Sequence, residues 1–158
     1  MSTMSRRIQD YLAQESIAYQ VVAHPHTRTS MQTAAAARVQ GDRLAKGVVV
    51  EDDQGYVLAV LPSTHHLQLG VLGRQLHRRQ VRLATEADLR GLFGDCELGA
   101  VPPIGAAYGL PTVVEEDLAA QPEIFFEAGD HEHLIHLTQG EFARLFANAP
   151  QGHFSRHM

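Results

Sequence analysis

Leu44-Ala45-Lys46-Gly47-Val48-Val49-Val50-Glu51-Asp52-Asp53-Gln54-Gly55-Tyr56-Val57-Leu58-Ala59-Val60-Leu61-Pro62 is two apolar runs around an acidic turn that ends in glycine. Residues 48–51 and 56–61 are rich in β-formers, and Asp52-Asp53-Gln54-Gly55 supplies turn chemistry, so the segment reads as a β-hairpin. Lys46 stands at the mouth of the first strand. It is the one lysine among thirteen basic residues; the other twelve are arginine. Where any cation suffices, this chain uses arginine. A compact ammonium on a thin stem reaches places a planar guanidinium cannot, which marks Lys46 as a candidate functional residue. The plainer reading is a lysine that snorkels to solvent at a strand end.

Outward from the hairpin, helices and strands interleave. Residues 5–16 read as a helix with Ile8, Tyr11 and Leu12 at helical spacing, and 18–23 as a strand broken by His24-Pro25-His26. Thr29-Ser30-Met31-Gln32 has the pattern of a capping box opening an alanine-rich helix that ends near Gly41. Ser63 and Thr64 read as caps for a helix over 67–79, in which Leu69, Leu72 and Leu76 face inward. A short strand at 81–84 precedes a helix capped by Thr85. Strands follow at 112–114, 124–127 and 133–137, then a helix capped by Thr138, and the tail from Pro150 reads as frayed. The expected fold is α/β (α+β): one domain over 1–158, with a mixed, barrel-like sheet surrounded by helices.

Composition bounds the function. Hydrophobic residues are 44% and charged residues 20% of 158, as in a globular protein. No apolar run has membrane-spanning length and no secretory signal pattern opens the chain, so a cytoplasmic location and no membrane partner are expected. A single cysteine, Cys96, excludes an internal disulfide and a cysteine-rich zinc site. The net charge of −5 is uneven. Residues 1–82 hold ten Arg/Lys against six Asp/Glu, and residues 83–158 three against twelve. Arg74, Arg78, Arg79 and Arg82 could offer a nucleic acid a local basic face, or could simply solvate a helix.

Two further segments do not read as scaffold. Gly99-Ala100-Val101-Pro102-Pro103-Ile104-Gly105 combines two fixed φ angles with glycines at both ends. Such a loop presents backbone dipoles in set directions and can hold a hydroxyl or a developing oxyanion without a catalytic side chain. Ala128-Gly129-Asp130-His131-Glu132-His133 is a turn between strands; with His136, His24 and His26 it raises the question of zinc. The spacing fits poorly, since His136 falls on the opposite strand face and no His-Glu-x-x-His helix is present; no metal and no cofactor are expected. Cys96 lies between Asp95 and Glu97, which disfavour a thiolate, and neither a nucleophile elbow nor a phosphate loop occurs.

In order, the chain shows a lysine opening a valine-rich strand, a hairpin ending Ala-Val-Leu-Pro, the Gly-x-x-x-Pro loop, Gly109-Leu110-Pro111, and a late Ala-Gly-x-His turn. That order resembles the YbaK/ProRS-associated family of aminoacyl-tRNA editing domains over residues 18–147, in its free-standing branch. The resemblance implies hydrolysis of the ester joining an amino acid to the tRNA 3′-terminal adenosine. It implies that Lys46 engages the terminal phosphate and that Gly99, Ala100, Val101, Pro102 and Pro103, with Gly105, position the ester. It places His24, Gly129 and His131 among the substrate-binding residues, His131 near the α-amino group. Water or the neighbouring ribose hydroxyl attacks, consistent with the missing nucleophile. Gly47 and Asp130-His131 differ from the cysteine-specific branch, so alanine, serine, cysteine or 2-aminobutyrate are all candidate acyl groups. The expected partners are the acceptor end of aminoacyl-tRNA and an aminoacyl-tRNA synthetase. A different class of reading is a non-catalytic tRNA- or synthetase-binding module of the same fold.

Overall fold

The computed structural model describes residues 3–158. Helix α1 (Arg6–Gln14) is capped by the Ser5 hydroxyl, which accepts from the Ile8 N–H, and buries Ile8 and Leu12. Strand β1 (Gln20–Ala23) leads to α2 (Ser30–Ala37), where the Thr29 hydroxyl accepts from Gln32 N–H. The Gln32 side chain accepts from Arg28 rather than from Thr29, so the expected capping box is half formed. The helix ends at Arg38, in the left-handed region at φ 58°, three residues before Gly41.

A 3₁₀ turn (Gly41–Arg43) runs into β2 (Leu44–Asp52) and β3 (Gly55–Pro62), the hairpin expected from the sequence, with β2 starting four residues earlier and β3 ending one residue later. Ala45 and Val49 of β2 join Leu58 and Val60 of β3 in one core, while Val50, Val57, Ala59 and Leu61 pack into a second core on the other face. Both faces are covered, which is why the strands read as near-continuous apolar runs.

Ser63 and Thr64 do not cap a helix: Ser63 Oγ donates to Gly41 O and Thr64 Oγ1 to Asp42, tying the hairpin to the 3₁₀ turn. The next three residues form β4 (His65–Leu67), and α3 is the shorter Leu69–Leu76. Then come β5 (Arg82–Leu83), α4 (Glu86–Leu92) with a full capping box at Thr85, a 3₁₀ turn (Gly105–Tyr108), β6 (Thr112–Glu115) and α5 (Glu116–Ala119). The chain closes with β7 (Glu123–Glu127), β8 (His133–Thr138), α6 (Gln139–Leu145), β9 (Gln151–Gly152) and β10 (Ser155–His157).

The main sheet runs β1-β8-β7-β2-β3-β6-β9, with β5 also on β2. The β7–β2, β3–β6 and β6–β9 pairs are parallel and the others antiparallel, giving the mixed sheet flanked by helices that the sequence implied. No helix among the described residues is long and apolar enough to cross a membrane.

The tail departs from its expectation. β10 pairs with β4, β9 pairs with β6, and Phe154 between them is buried in the second core. The anchor is Glu115, a fully buried carboxylate that accepts from Phe154 N, Ser155 N and Ser155 Oγ at 2.8–3.0 Å, with His153 Nδ1 at 2.8 Å. The Glu115 bond, ahead of the other nearby carboxylates, raises the His153 pKa. A raised histidine pKa adds stability that is full below the unfolded value and is lost as pH rises through the folded one. Glu115→Gln also weakens the charge-assisted bonds from Phe154 N, Ser155 N and Ser155 Oγ, so it is expected to melt about 2–4 °C below wild type at pH 6, with the gap narrowing by pH 9 in thermal melts as the His153 contribution is lost.

Candidate functional site

Strand β2 is paired on one edge along its whole length by β3, but on the other only at its ends. Leu44 and Ala45 pair with β7; Val50 and Glu51 pair with β5. Lys46, Gly47 and Val48 lie in the gap. Val49 O accepts from Ala84 N on this edge, so the pleat aims the N–H and C=O of Gly47, two residues earlier, the same way. A cavity of about 250 Å³ occupies the gap, lined by Lys46, Gly47, Val49, Leu83, Gly99 and Glu127 among others. That is smaller than the ~300–1,000 Å³ of a drug-sized site, so it suits a small occupant.

Lys46 is half-buried and its Nζ makes one long hydrogen bond, 3.4 Å to Ser63 O. Burial lowers its pKa. The ammonium is thus partly desolvated with little in return, and an incoming anion would supply the missing partner.

The 99–103 loop reaches this gap from across the sheet. A Cβ on Gly47 would stand 3.4 Å from Pro103 and 2.9 Å from Leu58 Cδ1, so glycine after the lysine lets the loop pack directly on β2. Gly99 is in the left-handed region at φ 82°. Of the loop residues proposed for the site, Gly99 and Val101 line the cavity with Lys46. Ala100, Pro102 and Pro103 are buried beneath it, and Gly105 opens the following 3₁₀ turn against Leu110 and Thr112.

Gly129, at φ 107°, packs on Ser5 and Cys96, and its carbonyl accepts from Glu97 N at 2.8 Å, which ties the late turn to the loop's approach. His131 is buried, with Nε2 2.6 Å from Leu98 O and Nδ1 3.5 Å from Glu127 Oε2. His24 is buried on the other side of the same carboxylate, Nε2 3.1 Å from Glu127 Oε1. Both histidines therefore stand behind the cavity wall rather than in it. Glu127, which lines the cavity, stands between them, and sequence reading missed it. Its one signal was a carboxylate ending the apolar run Ile124-Phe125-Phe126, where a strand has no use for charge.

Cys96 is poorly placed to form a thiolate. Burial, with Asp95 as a lesser cause, pushes its thiol up to about 12. At pH 8 it should react with iodoacetamide on the order of a thousandfold more slowly than free cysteine, followed by mass spectrometry. In the basic segment, Arg78 pairs with Asp52 at 2.9 Å and Arg82 with Glu51 at 3.3 Å, while Arg74 and Arg79 are exposed. This segment leads directly into Leu83 at the cavity rim.

The chain is 30% identical over 129 residues to a proline–tRNA ligase of Xanthomonas oryzae pv. oryzae, and 29% identical to that of Xanthomonas axonopodis pv. citri. Each match covers 81% of this chain and 23% of the ligase, so the chain spans about a quarter of the length of these curated relatives. A crystal structure described as a candidate trans-editing enzyme for prolyl tRNA synthetase superposes with a TM-score of 0.85 at 28% identity, over 99% of both chains. A scaffold used for epitope backbone grafting shares the fold, with a TM-score of 0.85 at 24% identity over all of both chains. The family model of the aminoacyl-tRNA editing domain matches residues 24–145, and the chain belongs to that family.

Proposed function

We propose that this domain acts in trans on mischarged tRNA, hydrolysing the ester between a small amino acid and the 3′-terminal ribose. Lys46 binds the terminal phosphate, and the backbone of the 99–103 loop, with the free edge at Gly47, orients the acyl group. A water attacks the ester carbonyl, with the adjacent ribose hydroxyl placed to relay its proton; the bond from the carbonyl to the ribose oxygen breaks, that oxygen takes the proton, and the products are the free amino acid and uncharged tRNA. The ester is already reactive, so positioning and oxyanion stabilisation carry the rate without a covalent side-chain nucleophile.

One observation carries this reading. The chain's single lysine, partly desolvated and with one long hydrogen bond among the described residues, stands on the rim of a cavity that Gly99 and Val101 also line. The likeness to proline–tRNA ligases and to the candidate trans-editing enzyme supports it. The cavity's size favours alanine, serine, cysteine or 2-aminobutyrate over bulky acyl groups. The test is a deacylation panel over Ala-, Ser-, Cys- and Thr-tRNA. Hydrolysis of at least one above the spontaneous rate is expected. Retained tRNA binding with no hydrolysis of any would replace the enzyme with a binding module.

A further inference from the structure

His24, Glu127 and His131 form a buried cluster at the cavity wall, with Glu127 lining the cavity and the two histidines behind it, brought together from the end of β1, the end of β7 and the turn before β8. His24 Nδ1 lies 2.8 Å from Pro25 O, and His131 Nε2 lies 2.6 Å from Leu98 O. A carbonyl only accepts, so each of these nitrogens carries a hydrogen. In the neutral rings that leaves His24 Nε2 and His131 Nδ1 as bare lone pairs. Both face Glu127, at 3.1 and 3.5 Å. A carboxylate there would meet two lone pairs with no hydrogen between. One added proton makes the 3.1 Å hydrogen bond and leaves the 3.5 Å pair apart. The two atoms of that longer pair, Glu127 Oε2 and His131 Nδ1, are indeed buried without a hydrogen-bond partner among the described residues.

We propose that Glu127 is a positioning residue for the candidate site: one proton held among His24, Glu127 and His131 keeps the His131 ring donating to the Leu98 carbonyl, and so sets where Gly99 stands. Gly99 is packed on that ring, since a Cβ there would stand 3.2 Å from His131 Cε1. When the proton leaves, Glu127 becomes an acceptor facing His131 Nδ1. The ring can satisfy it only by moving its own hydrogen from Nε2 to Nδ1, which leaves two lone pairs facing each other at Leu98 O and frees the loop.

The surroundings favour holding the proton. Burial raises the Glu127 pKa to about 7, Asp130 and Glu97 push the same way, and His131 and the Thr33 hydroxyl of α2 oppose them. Asp130 is itself held by Glu132 N, His133 N and His133 Nδ1, and Glu97 by His26. Lys46 lines the same cavity. A raised carboxyl pKa keeps the proton below its folded value and loses it as pH rises through about 7.

The functional consequence rests on the hydrolase reading above, but the test of the cluster does not. In ¹⁵N-histidine spectra below pH 7, His24 should show the Nδ1–H tautomer and His131 the Nε2–H tautomer. Both rings and the Gly99 and Ala100 amides should shift together in one titration as pH rises to 8.5. Glu127→Gln places an amide N–H where the carboxyl O–H stood. It should hold both tautomers and the low-pH amide positions across the range, with the titration gone. In deacylation, corrected for spontaneous hydrolysis, the wild-type rate should fall above about pH 7, and this fall should be absent in Glu127→Gln. Gly99 and Ala100 amides that stay still in wild type, or titrate equally in Glu127→Gln, overturn the proposal. These signals need no substrate, so they decide it even if no aminoacyl-tRNA is hydrolysed, a result that would instead overturn the hydrolase reading.

Discussion

Lys46→Ala is expected to deacylate a susceptible aminoacyl-tRNA about ten- to over a hundredfold more slowly than wild type, the loss of roughly 1.5–3 kcal/mol for a charge-assisted phosphate contact. The structure separates this from a folding defect. Among the described residues the Lys46 ammonium makes one hydrogen bond, a long one, and its burial opposes the charged state. Removing it should leave the melting temperature within a few degrees of wild type. Lys46→Arg keeps the charge but carries a wide planar fork to the rim of a small cavity, so rescue should be poor. The lowered lysine pKa adds a pH signature. The charged form, and with it phosphate affinity, is lost as pH rises through a value below the ordinary lysine range. Wild-type rates from Lys46→Ala, on a stable protein, would make Lys46 scaffold.

Much of this was legible in the sequence because its physics is local. The β2–β3 hairpin announced itself through two apolar runs and a turn within twenty residues, and the 99–103 loop through its glycine and prolines. What could not be read depends on partners far along the chain. The tail from Pro150 looked frayed because its anchor, Glu115, is some forty residues earlier and reads as one more strand-end carboxylate. Ser63 and Thr64 resemble caps in isolation, and only the Gly41–Arg43 turn shows what they bind. Three residues of β4, His65–Leu67, are too few to show a strand period. His131 was read as a residue near the substrate's amino group; in the structure its two ring nitrogens face Leu98 O and Glu127. No spacing rule brings residues 24, 127 and 131 to one carboxylate, since that takes β1 pairing with β8 and β8 with β7.

The Gly99 loop can be tested at its tightest point. Gly99→Ala should reduce deacylation about ten- to a hundredfold while costing only about 1–2 kcal/mol of stability. The stability term is the penalty for a side chain at φ 82°, in the left-handed region. The activity term is larger because the new Cβ has nowhere to go. It would stand 3.0 Å from the Arg28 carbonyl, which is backbone, and 3.2–3.3 Å from the His131 ring. The strand of chain carrying Arg28 is held by Thr27 N donating to His131 O and by Arg28 N donating to Gln32, so the loop yields rather than its neighbour. A displacement of several tenths of an ångström lengthens the His131–Leu98 bond and turns the loop's dipoles away from the ester; misplacement near 1 Å costs about a hundredfold. Gly140→Ala is the matched control: its Cβ meets nothing within 4 Å in α6, so it should stabilise by a fraction of a kcal/mol and leave activity unchanged. If Gly99→Ala hydrolyses its substrate within about threefold of wild type, the loop backbone does not position the ester, and the reading of residues 99–103 as the ester-holding wall is wrong.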